Sequence, residues 1–164
     1  MNVEIIYILL PLVCAVWALE EVVARRWWRK EKACRDPRLV AWAHTGASAG
    51  CVALVSLGEF AVALFCVAFF LGGVLWPLLA LFYGFTARWL VRGVIIAFER
   101  VYTPGVVSLG VFAPYFAIGA ANMLGRFPVS ENFFFFAAGV LFVFADELLL
   151  HRLSRRSRRG STGR

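Results

Sequence analysis

Two adjacent carboxylates, Glu20 and Glu21, stand near the end of a long apolar run, and Arg25 follows one helical turn later. On a helix Glu21 and Arg25 are an i,i+4 pair in the orientation that favours ion pairing. A carboxylate at the centre of a bilayer costs about 2.5–3.5 kcal/mol on insertion scales and is usually paired or functional. Glu20 and Glu21 therefore read either as a salt bridge snorkelling to the interface or as part of a buried polar site. Asp146, Glu147 and His151 repeat the arrangement at the end of the last apolar run. Glu147 and His151 share a helix face, as in a carboxylate–histidine metal pair, yet a salt-bridged helix end beside Arg152 explains the same spacing. His44 falls within another apolar run, where a hydrogen bond inside a helix bundle is the default. Arg88, Arg92 and Glu99 lie at i, i+4 and i+11, a narrow stripe on a segment otherwise made of Trp89, Leu90, Val91, Val94, Ile95, Ile96 and Phe98. Such a helix either floats with its arginine heads among lipid headgroups or turns the stripe into a bundle.

Other chemistry is not signalled. The chain has no Walker loop, glycine-rich dinucleotide turn, nucleophile elbow or HExxH zinc helix. Of its four cysteines, Cys14, Cys51 and Cys66 sit in apolar stretches and Cys34 in a basic loop, with no CxxC spacing; neither a zinc site nor a disulfide framework is implied. No metal and no cofactor is expected.

Composition sets the surroundings of these groups. Of 164 residues, 62% are hydrophobic and 16% charged, against roughly 45–50% and about 25% in soluble domains. A chain this short cannot wrap so much apolar surface inside itself, so its solvent must be lipid. The net charge of +7 comes from basic clusters at Arg25–Arg38, Arg88–Arg100 and Arg152–Arg164. These sit beside apolar runs, where basic residues fix topology and touch anionic headgroups; without interleaved aromatics or a fold to present them, they do not imply nucleic acid.

The expected fold class is an all-α, polytopic transmembrane helix bundle of about five spans. The runs are Ile5–Ala24, Leu39–Leu57, Phe60–Phe85, a helix from Thr103 to about Leu124, and Phe133–Leu153, each near the twenty residues that cross about 30 Å of hydrocarbon. Gly58-Glu59 separates the second run from the third, and Gly72-Gly73 and Pro77 should loosen or kink the third. Thr103 is placed as an N-cap with Pro104 at the first helical position, and Pro114 lies further along. Thr86–Tyr102 reads as an interfacial or re-entrant helix, because the two strongly basic ends, the first loop and the tail, should both be cytoplasmic and an even number of crossings must separate them. Residues 1–153 form one transmembrane domain and 154–164 a basic, disordered cytoplasmic tail. The N-terminus is then outside the cell membrane and the C-terminus inside. Gly46 and Gly50 have the GxxxG form that lets helix backbones approach.

With this topology Glu20, Glu21, His44, Arg88, Arg92, Asp146, Glu147 and His151 fall at similar depth on the cytoplasmic side, with Glu99 close by. The outer half holds almost no ionisable groups. This polar level is where a cavity would form.

Trp17-Ala18-Leu19-Glu20-Glu21, followed later by Tyr102-Thr103-Pro104-Gly105-Val106-Val107-Ser108, resembles the small bacterial membrane proteins named for an HXXEE motif. In that family a histidine precedes the paired glutamates by three, and a second histidine often stands before the aromatic-x-Pro-Gly turn. Here Trp17 holds the first position and Arg92 stands roughly where the second would be. The resemblance implies the membrane architecture; the family's histidine–glutamate set is not retained, and an Arg92–Glu20/Glu21 ion pair would replace it structurally.

The leading expectation is an accessory membrane component whose polar cluster holds helices together. Its partners would be membrane lipids, anionic headgroups reached through the basic loop and tail, and another membrane protein or a second copy of the chain; Phe133–Phe136 suits such an apolar neighbour. The alternative is a membrane-embedded enzyme or small transporter acting on an anionic lipid or protons through Glu20/Glu21 and Arg88/Arg92.

Overall fold

The computed structural model describes residues 4–28, 48–99 and 106–161. Among these the chain is all-helical, with no strand: α1 Glu4–Ile8, α2 Leu10–Trp28, α3 Ala49–Leu71, α4 Trp76–Glu99, α5 Val106–Val111, α6 Ala113–Arg126 and α7 Val129–Ser161. Two pairs are interrupted single rods. At Leu9 the ladder continues through Leu9 N–H to Ile5 O and Val13 N–H to Leu9 O, both 3.1 Å. Pro11 stands in the first turn of α2 and has no N–H to give the Tyr7 carbonyl, so the rod is interrupted at this one rung while its neighbours keep theirs. Pro114 does the same in the first turn of α6, with Phe112 N–H to Ser108 O at 2.9 Å and Phe116 N–H to Phe112 O at 3.1 Å carrying the ladder across.

The second and third apolar runs are divided differently from expectation. Helix α3 passes straight through Gly58-Glu59, and the chain reverses at residues 72–75. Glu is a good helix former and one glycine costs only about 1 kcal/mol, so Gly58-Glu59 is a weak breaker. Gly73 has φ 90°, a left-handed conformation natural to glycine. Gly72 N–H bonds Ala68 O at 3.1 Å, and Val74 N–H bonds Phe69 O at 2.9 Å to close the turn. Pro77 then opens α4 rather than kinking a longer span. The stretch from Thr86, expected as a separate interfacial helix, is the second half of α4 as far as Glu99. The tail is also helical to Ser161, where disorder was expected from Ser154; Arg155, Arg156, Arg158 and Arg159 are helix formers and no proline intervenes. Thr103, Pro104, His44 and Gly46 lie outside the described residues.

Contacts between rods fix their directions. Tyr115 Oη donates to Ile6 O at 2.8 Å, while Trp17 packs edge-on against Phe116 at 6.5 Å and Glu20 reaches Ser108, so α5–α6 runs antiparallel to α1–α2. Tyr7 meets Phe82 at 5.3 Å and Glu21 meets Arg92, making α4 parallel to α1–α2. Tyr83 Oη donates to Asn132 Oδ1 at 2.6 Å and Arg88 meets Glu147, which makes α7 parallel to α4. Helix α3 opposes both, with Val52 and Val55 against Leu150 and Glu59 against Asp146 and Arg88. The rods alternate in direction along the chain.

One half of the bundle is an aromatic core in which Tyr7, Trp17, Phe82 and Phe116 are buried, with Trp89 packed against it. At the crossing of α4 and α7 the main chains touch: a Cβ placed on Gly84 would lie 2.9 Å from the Gly139 carbonyl carbon, and one on Gly139 would lie 2.9 Å from Gly84 Cα. Gly50 is exposed on α3, and a Cβ there would meet Ser48 Oγ at 3.9 Å; its motif partner Gly46 lies outside the described residues. Outward faces carry exposed Leu12, Leu57, Phe65, Phe133 and Leu141. Among the described residues three helices are long and apolar enough to cross a membrane, Ile5–Ala24, Ala49–Leu71 and Val129–Leu153.

Candidate functional site

Two arginines one turn apart on α4 organise the polar half of the bundle. Arg88 Nη1 pairs with Glu59 on α3 and lies 3.5 Å from Asp146 Oδ2, while Nη2 pairs with Glu147 Oε1 at 2.9 Å. The side chains of Arg88, Glu59 and Asp146 are each 10% exposed, that of Glu147 30%. This arrangement follows from the glycine crossing. Gly84 is one turn above Arg88 and Gly139 is two turns above Asp146, so backbone contact there brings the guanidinium within reach of both acids on α7.

Arg92 pairs with Glu21. Its guanidinium also lies 5.3 Å from the ring centroid of Trp17, within the range of a cation–π contact. Trp17 Nε1 donates to Glu21 Oε1 at 3.3 Å, so one carboxylate is held by both an indole and a guanidinium. The neighbouring Glu20 accepts from the backbone N–H groups of Val107 at 3.0 Å and Ser108 at 2.6 Å. Those N–H groups open α5 and have no partner within the helix, and an anionic acceptor suits that position. Trp89 Nε1 donates to Leu109 O at 2.8 Å, a second tie between α4 and α5. Trp17, Glu21, Ser56, Glu59 and Arg88 help line a void with room for about one water molecule. Arg88 Nε and Asp146 Oδ2 are buried without a hydrogen-bond partner among the described residues.

The expected polar level is thus assembled from Glu20, Glu21, Arg88, Arg92, Asp146 and Glu147, with partners other than the local ones. Glu21 takes Arg92 from across the bundle, Glu147 takes Arg88, and the stripe of α4 faces inward. His151 is half-buried one turn beyond Glu147. Glu99 ends α4, and its side chain, like His44 and Gly46, lies outside the described residues. Glu59 was not anticipated. Its signal was a single carboxylate with ten or more apolar or small residues on either side, which is too deep in a span to be a helix end.

No family model matches the chain, and no curated protein or solved structure does either.

Proposed function

We propose that the chain is a five-crossing protein of the cell membrane, with its N-terminus outside and its C-terminus cytoplasmic, serving as an accessory component whose buried charges clamp its helices together. The crossings would be α1–α2, α3, α4, α5–α6 and α7. Their alternating directions supply the odd number of passes this topology needs, and no re-entrant helix is required. The basic sequence after α2 and at the end of α7 then lies on one side, as the positive-inside rule asks. Anionic headgroups at that side, lipid tails along the bare faces, and a further membrane protein or second copy are the proposed neighbours. The resemblance to the HXXEE proteins is proposed on the same ground: Trp17, at the motif's histidine position, and Arg92 both engage Glu21.

The observation that carries the clamp is Arg88, which draws acids from α3 and α7 onto α4. An enzyme or transporter working through Glu20/Glu21 and Arg88/Arg92 would need those groups for a substrate. Here Glu21, Arg88 and Arg92 pair with one another or with neighbouring acids, and Glu20 holds backbone N–H groups, which favours the clamp.

The test is a set of Glu21→Gln, Arg92→Gln and double variants followed for folding in detergent. The clamp predicts that each single variant loses stability and that the double recovers part of it. If all three fold like the parent, the structural reading fails and the catalytic or transport one takes its place. Reporter fusions at Gly73, Arg100 and Phe127 should report outside, cytoplasmic and outside.

A further inference from the structure

We propose that Glu59 and Asp146 form a carboxyl pair that holds one exchangeable proton inside the membrane, a proton-binding site joining α3 to α7 beside Arg88. The proposal deepens the clamp and rests on it for the depth of the pair. The side chains of Glu59 on α3 and Asp146 on α7 are each nine-tenths buried, and Asp146 Oδ2 has no hydrogen-bond partner among the described residues. Ionised carboxylates are acceptors only, so two of them brought together cannot satisfy each other, whereas a proton on one makes it a donor to the other. Both also address the same nitrogen, Arg88 Nη1, which holds them together on one side of the guanidinium.

Charge balance points the same way. Three carboxyl groups, Glu59, Asp146 and Glu147, surround Arg88, and the next cation, Arg92, is engaged by Glu21. With all three acids ionised, this group would carry two uncompensated negative charges in a low-dielectric interior, where like charges close together resist joint ionisation. One proton taken from water converts one carboxylate to a neutral acid and leaves a single excess charge; its release restores the second. Asp146 and Glu59 are the best placed to take it, each 10% exposed against 30% for Glu147. The groups facing the pair are Cys14 from α2, Arg88 and, a turn further, Arg92 from α4, and Glu147 from α7.

Two further features indicate a small polar occupant. Asp146 Oδ2 and Arg88 Nε are buried without a hydrogen-bond partner among the described residues. The void lined by Glu21, Ser56, Glu59 and Arg88 has room for about one water, a carrier of the right size to deliver a proton to Glu59.

Infrared spectroscopy of the full chain in phosphatidylcholine nanodiscs at neutral pH tests this directly. The expected result is a carbonyl band of one protonated carboxyl group per chain, shifted in D2O, retained in Glu147→Gln and lost in both Glu59→Gln and Asp146→Asn. The conservative Asp146→Glu and Glu59→Asp variants, which keep both acids, should shift the band. Absence of the band from the parent protein overturns the proposal, as does a band that survives both amide variants or is unmoved by both conservative ones. The parent spectrum needs no variant to fold, and the reporter fusions and the Glu21/Arg92 series judge the crossing and clamp readings separately.

Discussion

Glu59 and Arg88 meet across the turn that joins α3 to α4, each with a side chain 10% exposed. Neither is tolerable there alone: removing one member of a buried ion pair costs about 3–5 kcal/mol because the other is left uncompensated. Arg88→Gln, which strands three acids, should therefore lower stability more than Glu147→Gln, whose carboxylate is 30% exposed. Unfolding in detergent by heat or SDS measures both. Equal losses would show that Arg88 is not the centre of the network.

The contact between Gly84 and Gly139 leaves no room for a methyl group. Gly84→Ala and Gly139→Ala should each destabilise by about 1–3 kcal/mol, the usual cost of overpacking. Gly58, whose added Cβ would meet nothing within 4 Å, is the control: Gly58→Ala should stabilise α3 by up to about 1 kcal/mol through helix propensity. The same unfolding assay separates the two classes.

Loss of the cap on α5 has a local signature. Glu20→Ala removes the acceptor for the N–H groups of Val107 and Ser108 and should cost about 0.5–2 kcal/mol. Hydrogen exchange at those two amides should quicken while the amides of α3 are unchanged. Uniform acceleration through the bundle would instead assign Glu20 a global role.

Tyr83 and Asn132 tie α4 to the start of α7, and Asn132 Nδ2 in turn donates to Phe127 O at 2.8 Å. Tyr83→Phe leaves a buried Asn132 oxygen without its donor, which costs about 1–3 kcal/mol. Asn132→Leu also removes the donor to Phe127 O, so a double-mutant cycle of Tyr83→Phe with Asn132→Leu, rather than the double variant alone, reads the Tyr83–Asn132 coupling, expected as a loss smaller than the sum of the two singles.

The helical character and the polar level were legible in the sequence because both follow from where charges are permitted among apolar residues. Glu20, Glu21, Arg88, Arg92, Asp146 and Glu147 stood out as the exceptions, and they meet in the bundle. Their partners were less legible. Sequence spacing offers Arg25 to Glu21, one turn away, whereas the fold supplies Arg92, 71 positions on; local geometry cannot rank a neighbour that arrives through packing. Glu59 was hidden for a related reason. A long apolar stretch with one charge invites division at that charge, yet the chain turns at Gly72-Gly73, where backbone freedom rather than polarity decides. The cost of Glu59 inside the rod is offset by Arg88, which a reading of either segment alone does not reveal.

The glycine crossing also acts as a ruler. With main chain against main chain at Gly84 and Gly139, α4 has no side-chain cushion on which to glide along α7, and its position sets which acids Arg88 can touch. Displacement by one helical turn, about 5.4 Å, would carry the guanidinium away from Asp146 and Glu147 together. Sliding of these two rods and exchange of counter-ions are therefore a single event.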